Sequence, residues 1–341
     1  MAVFFVETST RACAYVRCEL PARALARLRV GSRRANRFMV NDDTGLPDGH
    51  ERFPTWVFQI PSGGESEIQL VKALRRAGKK IVVEFDDDYF HIPPGNKQLV
   101  VDALDPEQMR SKKEIAKLAH VITVSTKELI PIYQKFCDNV VVLPNCIDMA
   151  DYPKPMKKGK RLTIGWAGAQ ELGNFSLVAS TLKQMVEEFS HVDIAIGGDP
   201  KAYDLVKVDK ARKTYLEPCS IGDFPKMINH FDIAVIPLKE SAFNAGKSEL
   251  KGLQYGALNI PFLASNVPPY RRFSRMAGSR EFLIEKEKHW LPRLRNLVVD
   301  RKLRSQLGNK AYKVAESRQI DNQIGAWIEA YDPAGIGNSP A

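Results

Sequence analysis

The chain has 341 residues, 44% of them hydrophobic and 26% charged, with a formal net charge of +10. This is ordinary globular composition with room for two domains, and no apolar run approaches the roughly 18 residues of a membrane span. Five cysteines (Cys13, Cys18, Cys137, Cys146 and Cys219), scattered and without a CxxC pair, argue against a disulfide framework or a zinc site and for reduced thiols in a cytoplasm.

The first segment, AVFFVE (2–7), reads as a core strand. No basic region precedes it and no small-residue cleavage site follows, so a signal peptide is not indicated. Further β-branched runs follow at 56–60, 80–85, 120–125, 140–144, 162–168, 193–198, 232–238 and 261–265. Helical spacing appears between them at 65–78, 127–137, 176–189 and 247–258. Such alternation predicts parallel sheets covered on both faces, and runs like VVVLP (140–144), apolar on both sides, agree. The stretch MADYPKPMKKGKR (149–161) has the composition of a linker. Two α/β domains are therefore expected, 1–152 and 153–315, with an amphipathic helix within 316–331 placed to pack back on the first.

The positive charge is uneven. Eight arginines lie from Arg11 to Arg37 against one carboxylate, Glu19. Smaller clusters sit at 157–161 and at Arg271, Arg272, Arg275 and Arg280. Solvated faces explain such runs; the sharper reading is a surface for acidic lipid, glycan or nucleic acid.

Two stretches carry chemistry. In EFDDDYFHIP (84–93), Asp86, Asp87 and Asp88 follow an apolar run. Carboxylates at a strand end could hold a divalent metal or simply be solvated. His91 could bond or relay a proton, against an ordinary packing role. The second stretch is SAFNAGKSELKGLQYGALNIPFLASN (241–266). Its AGKS is not a P-loop, because Ser241 stands where that pattern needs glycine. A loop bearing Asn244, Ala245 and Gly246 leads instead to a helix expected to start near Lys247. The N–H groups of Ser248 and Glu249, the helix dipole and the Lys247 charge would then form a seat for a diphosphate. An ordinary capped helix with Lys247 in solvent is the alternative.

The chain resembles retaining glycosyltransferases of the family-4 type. KSELKGLQYGALNIPFLAS (247–265) is similar to that family's donor signature, and LTIGWAGAQE (162–171) to the turn that opens its second domain. VITVSTKEL (121–129), VVVLPNCIDM (140–149), AYVRCELPARAL (14–25) and the aspartate run resemble further segments of the family. The resemblance implies the GT-B fold, two Rossmann-like domains with parallel sheets facing a central cleft. It implies a nucleotide-sugar held by Gly165, Trp166, Ala167, Gly168, Asn244, Gly246, Lys247, Ser248, Glu249 and Gln254. Tyr255 would lie near the ribose and Glu217 near the nucleobase, while Trp166 also reads as a core residue. Lys247, Asp86 and Asp87 would serve catalysis. Arg11, Arg17, Asp88 and His91 would lie on the acceptor side or neutralise phosphate. No metal or other cofactor is expected.

The chain departs from the family in four places, the first being ETSTRACAYVR (7–17), which lacks the glycine-rich first loop. Gln254 stands where a glutamate usually binds the ribose, although an amide can both donate and accept. Gly246 replaces a partner acid, and GWAGAQELGN (165–174) lacks the usual basic residue. The expected activity is transfer of a sugar from a nucleotide-sugar to an acceptor hydroxyl, with retention. The acceptor would be a surface glycan or lipid-linked precursor, or a modified DNA base. A cytoplasmic protein is expected, at the inner membrane face or on DNA through Arg11–Arg37. The alternative is a non-catalytic nucleotide-sugar or nucleic-acid binder on the same scaffold.

Overall fold

A computed structural model describes residues 1–8, 12–36, 47, 49–92, 105–156, 159–169, 172–332 and 334. The chain forms two compact units. The first comprises Met1–Cys146, Gly246–Ser248 and Ile320–Ala341, the second Ile147–Ala245 and Glu249–Gln319. The division falls at Cys146, ahead of the proline-rich stretch read as a linker.

The first unit holds a six-stranded sheet of β1 (Ala2–Glu7), β2 (Gly31–Asn36), β3 (Thr55–Gln59), β4 (Lys80–Phe85), β5 (Val121–Val124) and β6 (Val140–Val142), in the order β2-β1-β3-β4-β5-β6. All neighbours pair in parallel. The second unit repeats the plan with β7 (Leu162–Gly168), β8 (Val192–Gly198), β9 (Lys213–Leu216), β10 (Ile233–Ile236), β11 (Phe262–Ser265) and β12 (Leu283–Ile284), ordered β12-β11-β10-β7-β8-β9 and again parallel. Strand order reverses between β1 and β3 in one sheet and between β7 and β10 in the other. At such switch points the loops diverge and leave a crevice at the carboxyl ends.

Helices of eight residues or more, among the described residues, are α1 (Leu20–Arg27), α2 (Gly64–Arg76), α3 (Pro106–Lys117), α4 (Leu172–Glu188), α5 (Leu250–Ala257), α6 (Pro268–Met276), α7 (Trp290–Val299), α8 (Arg301–Ser317) and α9 (Ile320–Tyr331). The unbroken apolar run of β4 is explained by burial on both faces. Ile81, Val83 and Phe85 join a cluster with Ile68, Leu74 and Ile115, whereas Val82 joins Cys18, Leu25 and Trp327 on the other side. Helix α9 belongs to that second face: Ile320, Ile324, Trp327 and Tyr331 are buried there, and Thr55 Oγ1 donates to the Tyr331 carbonyl at 2.7 Å.

In the second unit, α5 and α8 approach through small residues. A Cβ on Gly256 would come within 2.4 Å of the Ala311 carbonyl oxygen, so the glycine of the QYGAL run (254–258) serves helix packing.

Two features of this fold differ from the sequence reading. GSRRAN (31–36), part of the arginine-rich stretch, is the edge strand β2, whose charges discourage pairing with another chain. Helix α5 begins at Leu250, not near Lys247.

Candidate functional site

In the first unit, the three aspartates lie just past the carboxyl end of β4 and turn to different partners. Asp88, 2% exposed, accepts from the N–H groups of Phe90 and His91 (both 3.1 Å) and from His91 Nδ1 (2.9 Å), closing a local turn. Asp86 accepts from the Tyr89 hydroxyl at 2.6 Å and from the Cys13 thiol. Burial, reinforced by Asp86, pushes both of those groups well above their ordinary pKa, so they donate as neutral groups. Asp87 Oδ2 pairs with Lys247 Nζ at 3.5 Å. Among the described residues no three side chains are grouped to hold a metal ion.

Lys247 and Ser248 join the short helix Ala242–Gly246 to α5 and cluster with the first unit. Gly246 accepts from Thr126 Oγ1 at 2.8 Å, and a Cβ on it would meet Leu129 Cδ2 at 2.7 Å. Ser248 Oγ accepts from Asn145 Nδ2 at 2.8 Å. The small residues at this turn therefore admit protein atoms. The N–H groups opening α5 are those of Leu250, Lys251 and Gly252, not those of Ser248 and Glu249 as the sequence suggested. The Glu249 carboxylate, 4% exposed, lies between Arg272 (3.2 Å) and Arg318 (3.3 Å). Asn244 spends its amide on the Lys239 carbonyl at 2.8 Å, within its own loop.

Arg17 is not available to a phosphate. It is fully buried, bidentate to Glu84 (2.7 and 3.0 Å), and donates to Leu143 O (2.6 Å) and Asn145 Oδ1 (2.8 Å). Burial opposes its charge, and Glu84 outweighs that, holding its pKa above the usual guanidinium value. Arg11 lies outside the described residues, as do Arg37, Lys157 and Lys158. Among the described arginines of the stretch, Arg27, Arg29, Arg33 and Arg34 are exposed, and three of them have partners. Arg34 pairs with Glu7 and Glu19, Arg27 with Asp321, and Arg33 lies over the Phe4 ring.

At the β1/β3 switch point two residues stand out that the sequence did not flag. Ile60 has φ +48, uncommon for a β-branched residue and costing about 1–3 kcal/mol. It is held there by Thr8 Oγ1 donating to its carbonyl (2.8 Å) and by its own N–H on Glu84 O (2.9 Å). Beside it Gln59, 1% exposed, has a buried Nε2 without a partner among the described residues.

In the second unit the β7/β10 switch point is lined by backbone and lysine. β7 ends at Gly168, and α4 starts at Leu172. A Cβ on Gly168 would lie 2.7 Å from the Trp166 ring and 3.1 Å from Lys251 Nζ, and Gly198 (φ +92), at the end of neighbouring β8, approaches the Gly168 carbonyl oxygen so closely that its own Cβ would lie 2.5 Å from it. Lys251 stands in the first turn of α5, with its ammonium 5.7 Å from the centroid of the Trp166 ring. Lys239 Nζ lies 4.0 Å from the Cβ position of Gly173, in the first turn of α4. Lys251 and Lys239 thus bring ammonium groups next to Gly168 and Gly173.

The remaining predicted donor residues divide. Gly165 faces the core, where a Cβ would meet the Phe231 ring at 2.0 Å, and Ala167 is buried. Trp166 packs on Phe175, with ring centroids 4.6 Å apart, and is 1% exposed. Tyr255, also 1% exposed, lies between Phe231 and Phe262 and is not at a ligand surface. Gln254 is buried, three positions after Lys251, and Glu217 is exposed just past β9.

No family model matches the chain, and no curated protein matches it by sequence. Solved structures do match. HepE of Anabaena, solved with UDP-glucose, superposes over 97% of this chain and 100% of its own, with TM-score 0.66 and 11% identity. WaaG, a glycosyltransferase involved in lipopolysaccharide biosynthesis, matches over 97% and 99%, with TM-score 0.60 and 12% identity. A putative UDP-N-acetylglucosamine 2-epimerase from Listeria monocytogenes matches over 97% and 98%, with TM-score 0.56 and 11% identity. The fold is GT-B, with two Rossmann-like domains.

Proposed function

We propose that the chain is a nucleotide-sugar-dependent glycosyltransferase. The observation that carries this reading is the Lys251 ammonium beside the Gly168 backbone and the Trp166 ring, at the switch point of the second sheet. Backbone without side chains lets a diphosphate approach, and lysine with the first turn of α5 stabilises the charge that develops on it. Gln254 shares a helix face with Lys251. In this reading it meets the ribose, and Glu217, past β9, meets the nucleobase.

In the proposed reaction the bond from the sugar's anomeric carbon to the diphosphate oxygen breaks. The acceptor oxygen bonds that carbon, and the acceptor proton passes to the departing diphosphate. Retention of configuration is part of the proposal and rests on the family resemblance alone. Asp86 and Asp87 meet acceptor hydroxyls. Lys247, paired with Asp87, belongs with them, and the phosphate role passes to Lys251 and Lys239. No metal is required, because lysine and helix dipole supply the positive charge. Arg17 is spent on Glu84, while Arg27, Arg29, Arg33 and Arg34 stay exposed, and the acceptor is left as a glycan, a lipid-linked precursor or DNA.

A panel of UDP-, GDP-, ADP- and TDP-sugars, with and without EDTA, tests this by thermal shift followed by product analysis. A ligand at about a hundred times its Kd stabilises by roughly 2.7 kcal/mol. Stabilisation by one nucleotide class, unaffected by EDTA, with nucleoside diphosphate released and sugar found on an acceptor, is the expected result. An epimerised nucleotide-sugar would overturn transfer in favour of isomerisation. Binding without any turnover would leave a non-catalytic binder.

A further inference from the structure

The basic run at 157–161 plays no part in the site above, yet two of its residues, Gly159 and Lys160, line a cavity. This cavity, of about 480 Å³, sits where β7, β8, β10 and β11 begin, so it lies at the opposite edge of the sheet from Gly168 and Lys251. Lys160, His191, Asp232, Asn259, Arg301 and Arg304 contribute to its wall. Three cations from two separate stretches of chain therefore line the same cavity as one carboxylate, Asp232, which accepts the Thr163 N–H at 2.8 Å. Among the described residues, Lys160, Arg301 and Arg304 make no ion pair within 4.0 Å.

Arg304 is fixed by its own bonds. Its Nη1 donates to the carbonyls of Leu297 (2.6 Å) and Val298 (2.8 Å) at the end of α7, which anchors the guanidinium in the cavity wall. Burial lowers its pKa; Asp232 opposes that, and Arg301 lowers it further. An anion in the cavity would relieve the repulsion between the two arginines. Leu162, Pro261 and Val298 add apolar wall beside the charges. The volume lies within the range of small-molecule pockets, roughly 300–1,000 Å³.

We propose that this cavity binds a small phosphorylated molecule through Lys160, Arg301 and Arg304, at a site separate from the nucleotide-sugar seat. Guanidinium forks match the several oxygens of a phosphate group, and an ammonium adds a point charge. The apolar wall accommodates a small organic body. Inorganic phosphate and a phosphate ester offer the same charged group, and the test distinguishes them.

The full chain, its Lys160→Ala/Arg301→Ala variant and its Lys251→Ala variant are titrated with inorganic phosphate and with glycerol 3-phosphate, following thermal stability against sodium chloride of equal ionic strength. Lys160 and Arg301 are both exposed, so the double variant should melt like the parent without ligand. The expected result is a phosphate-dependent rise in Tm that survives in Lys251→Ala and weakens at least tenfold in Kd in the double variant. A rise confined to glycerol 3-phosphate would name an ester as the ligand, and equal rises would name the phosphate group alone. A rise that persists in the double variant, that is lost in Lys251→Ala, or that sodium chloride reproduces would overturn the proposal, as would no rise at all.

Discussion

Arg17 and Glu84, 67 positions apart in the chain, form a fully buried bidentate ion pair, Nε to Oε1 at 2.7 Å and Nη2 to Oε2 at 3.0 Å. Thr123 Oγ1 also donates to Glu84, and Arg17 continues through Asn145 to Ser248. One buried network thus ties β4, β5 and the turn carrying Lys247. Removing Arg17 alone strands a buried carboxylate, at a cost of about 3–5 kcal/mol. Arg17→Met should therefore lower the denaturation midpoint sharply. Arg17→Met/Glu84→Leu should recover much of the loss, because no unpaired charge remains. Equal destabilisation of both would show that the ion pair is not the reason for the arginine.

The glycines of GWAG have distinct roles. At Gly165 a Cβ would fall inside the Phe231 ring, so Gly165→Ala should cost about 1–3 kcal/mol through overpacking. Adding Phe231→Leu should give a double variant more stable than the sum of the two single effects predicts, as expected for residues in contact. Strict additivity in equilibrium unfolding would count against this packing role.

Strands were legible where a parallel sheet is buried on both faces, since β3, β4 and β5 then appear as unbroken apolar runs. β2 was not, because a charged edge strand resembles a solvated loop, and α3 and α8 were hidden by their density of Lys, Arg and Glu. In the site the decisive detail was a shift of three residues. Helical spacing over KSELKGLQYGAL did not reveal that the helix starts at Leu250, which gives Lys251 the place expected for Lys247. Partners more than 100 positions away, Thr126 and Asn145, hold the turn before it, and no local pattern encodes them. Gly165 and Gly168 also look alike in sequence, although one meets Phe231 and the other Trp166 and Lys251.

His120 makes stability pH-dependent. Its Nδ1 accepts the Ile81 N–H at 2.9 Å, which requires the neutral ring, and burial, with Arg75 and Lys80, lowers its pKa below 6.5. The folded pKa lies below the unfolded one, so the contribution is complete above the unfolded value and is lost as pH falls through it towards the folded one. Between about pH 7.5 and about pH 5.5, where an imidazole titrates, the parent should lose more Tm than His120→Asn, which keeps an acceptor without the titration. Parallel curves for the two proteins would dismiss this role.

Asp87→Asn removes a carboxylate from the proposed acceptor side and breaks the pair with Lys247. Transfer should slow by roughly tenfold or more, about 1.4 kcal/mol of barrier, while donor affinity changes less than about twofold. EDTA should alter neither. A loss of donor affinity equal to the loss of rate would move Asp87 to the donor side.

The measurement closest to the central claim is calorimetric titration of the parent and Lys251→Ala with the nucleotide-sugar that stabilises the parent best. Loss of one charge-assisted contact to phosphate, worth about 1.5–3 kcal/mol, predicts Kd weaker by roughly ten- to a hundredfold, with the unliganded Tm nearly unchanged. Unchanged affinity in a folded Lys251→Ala protein would contradict the assignment of the diphosphate seat to Gly168 and Lys251.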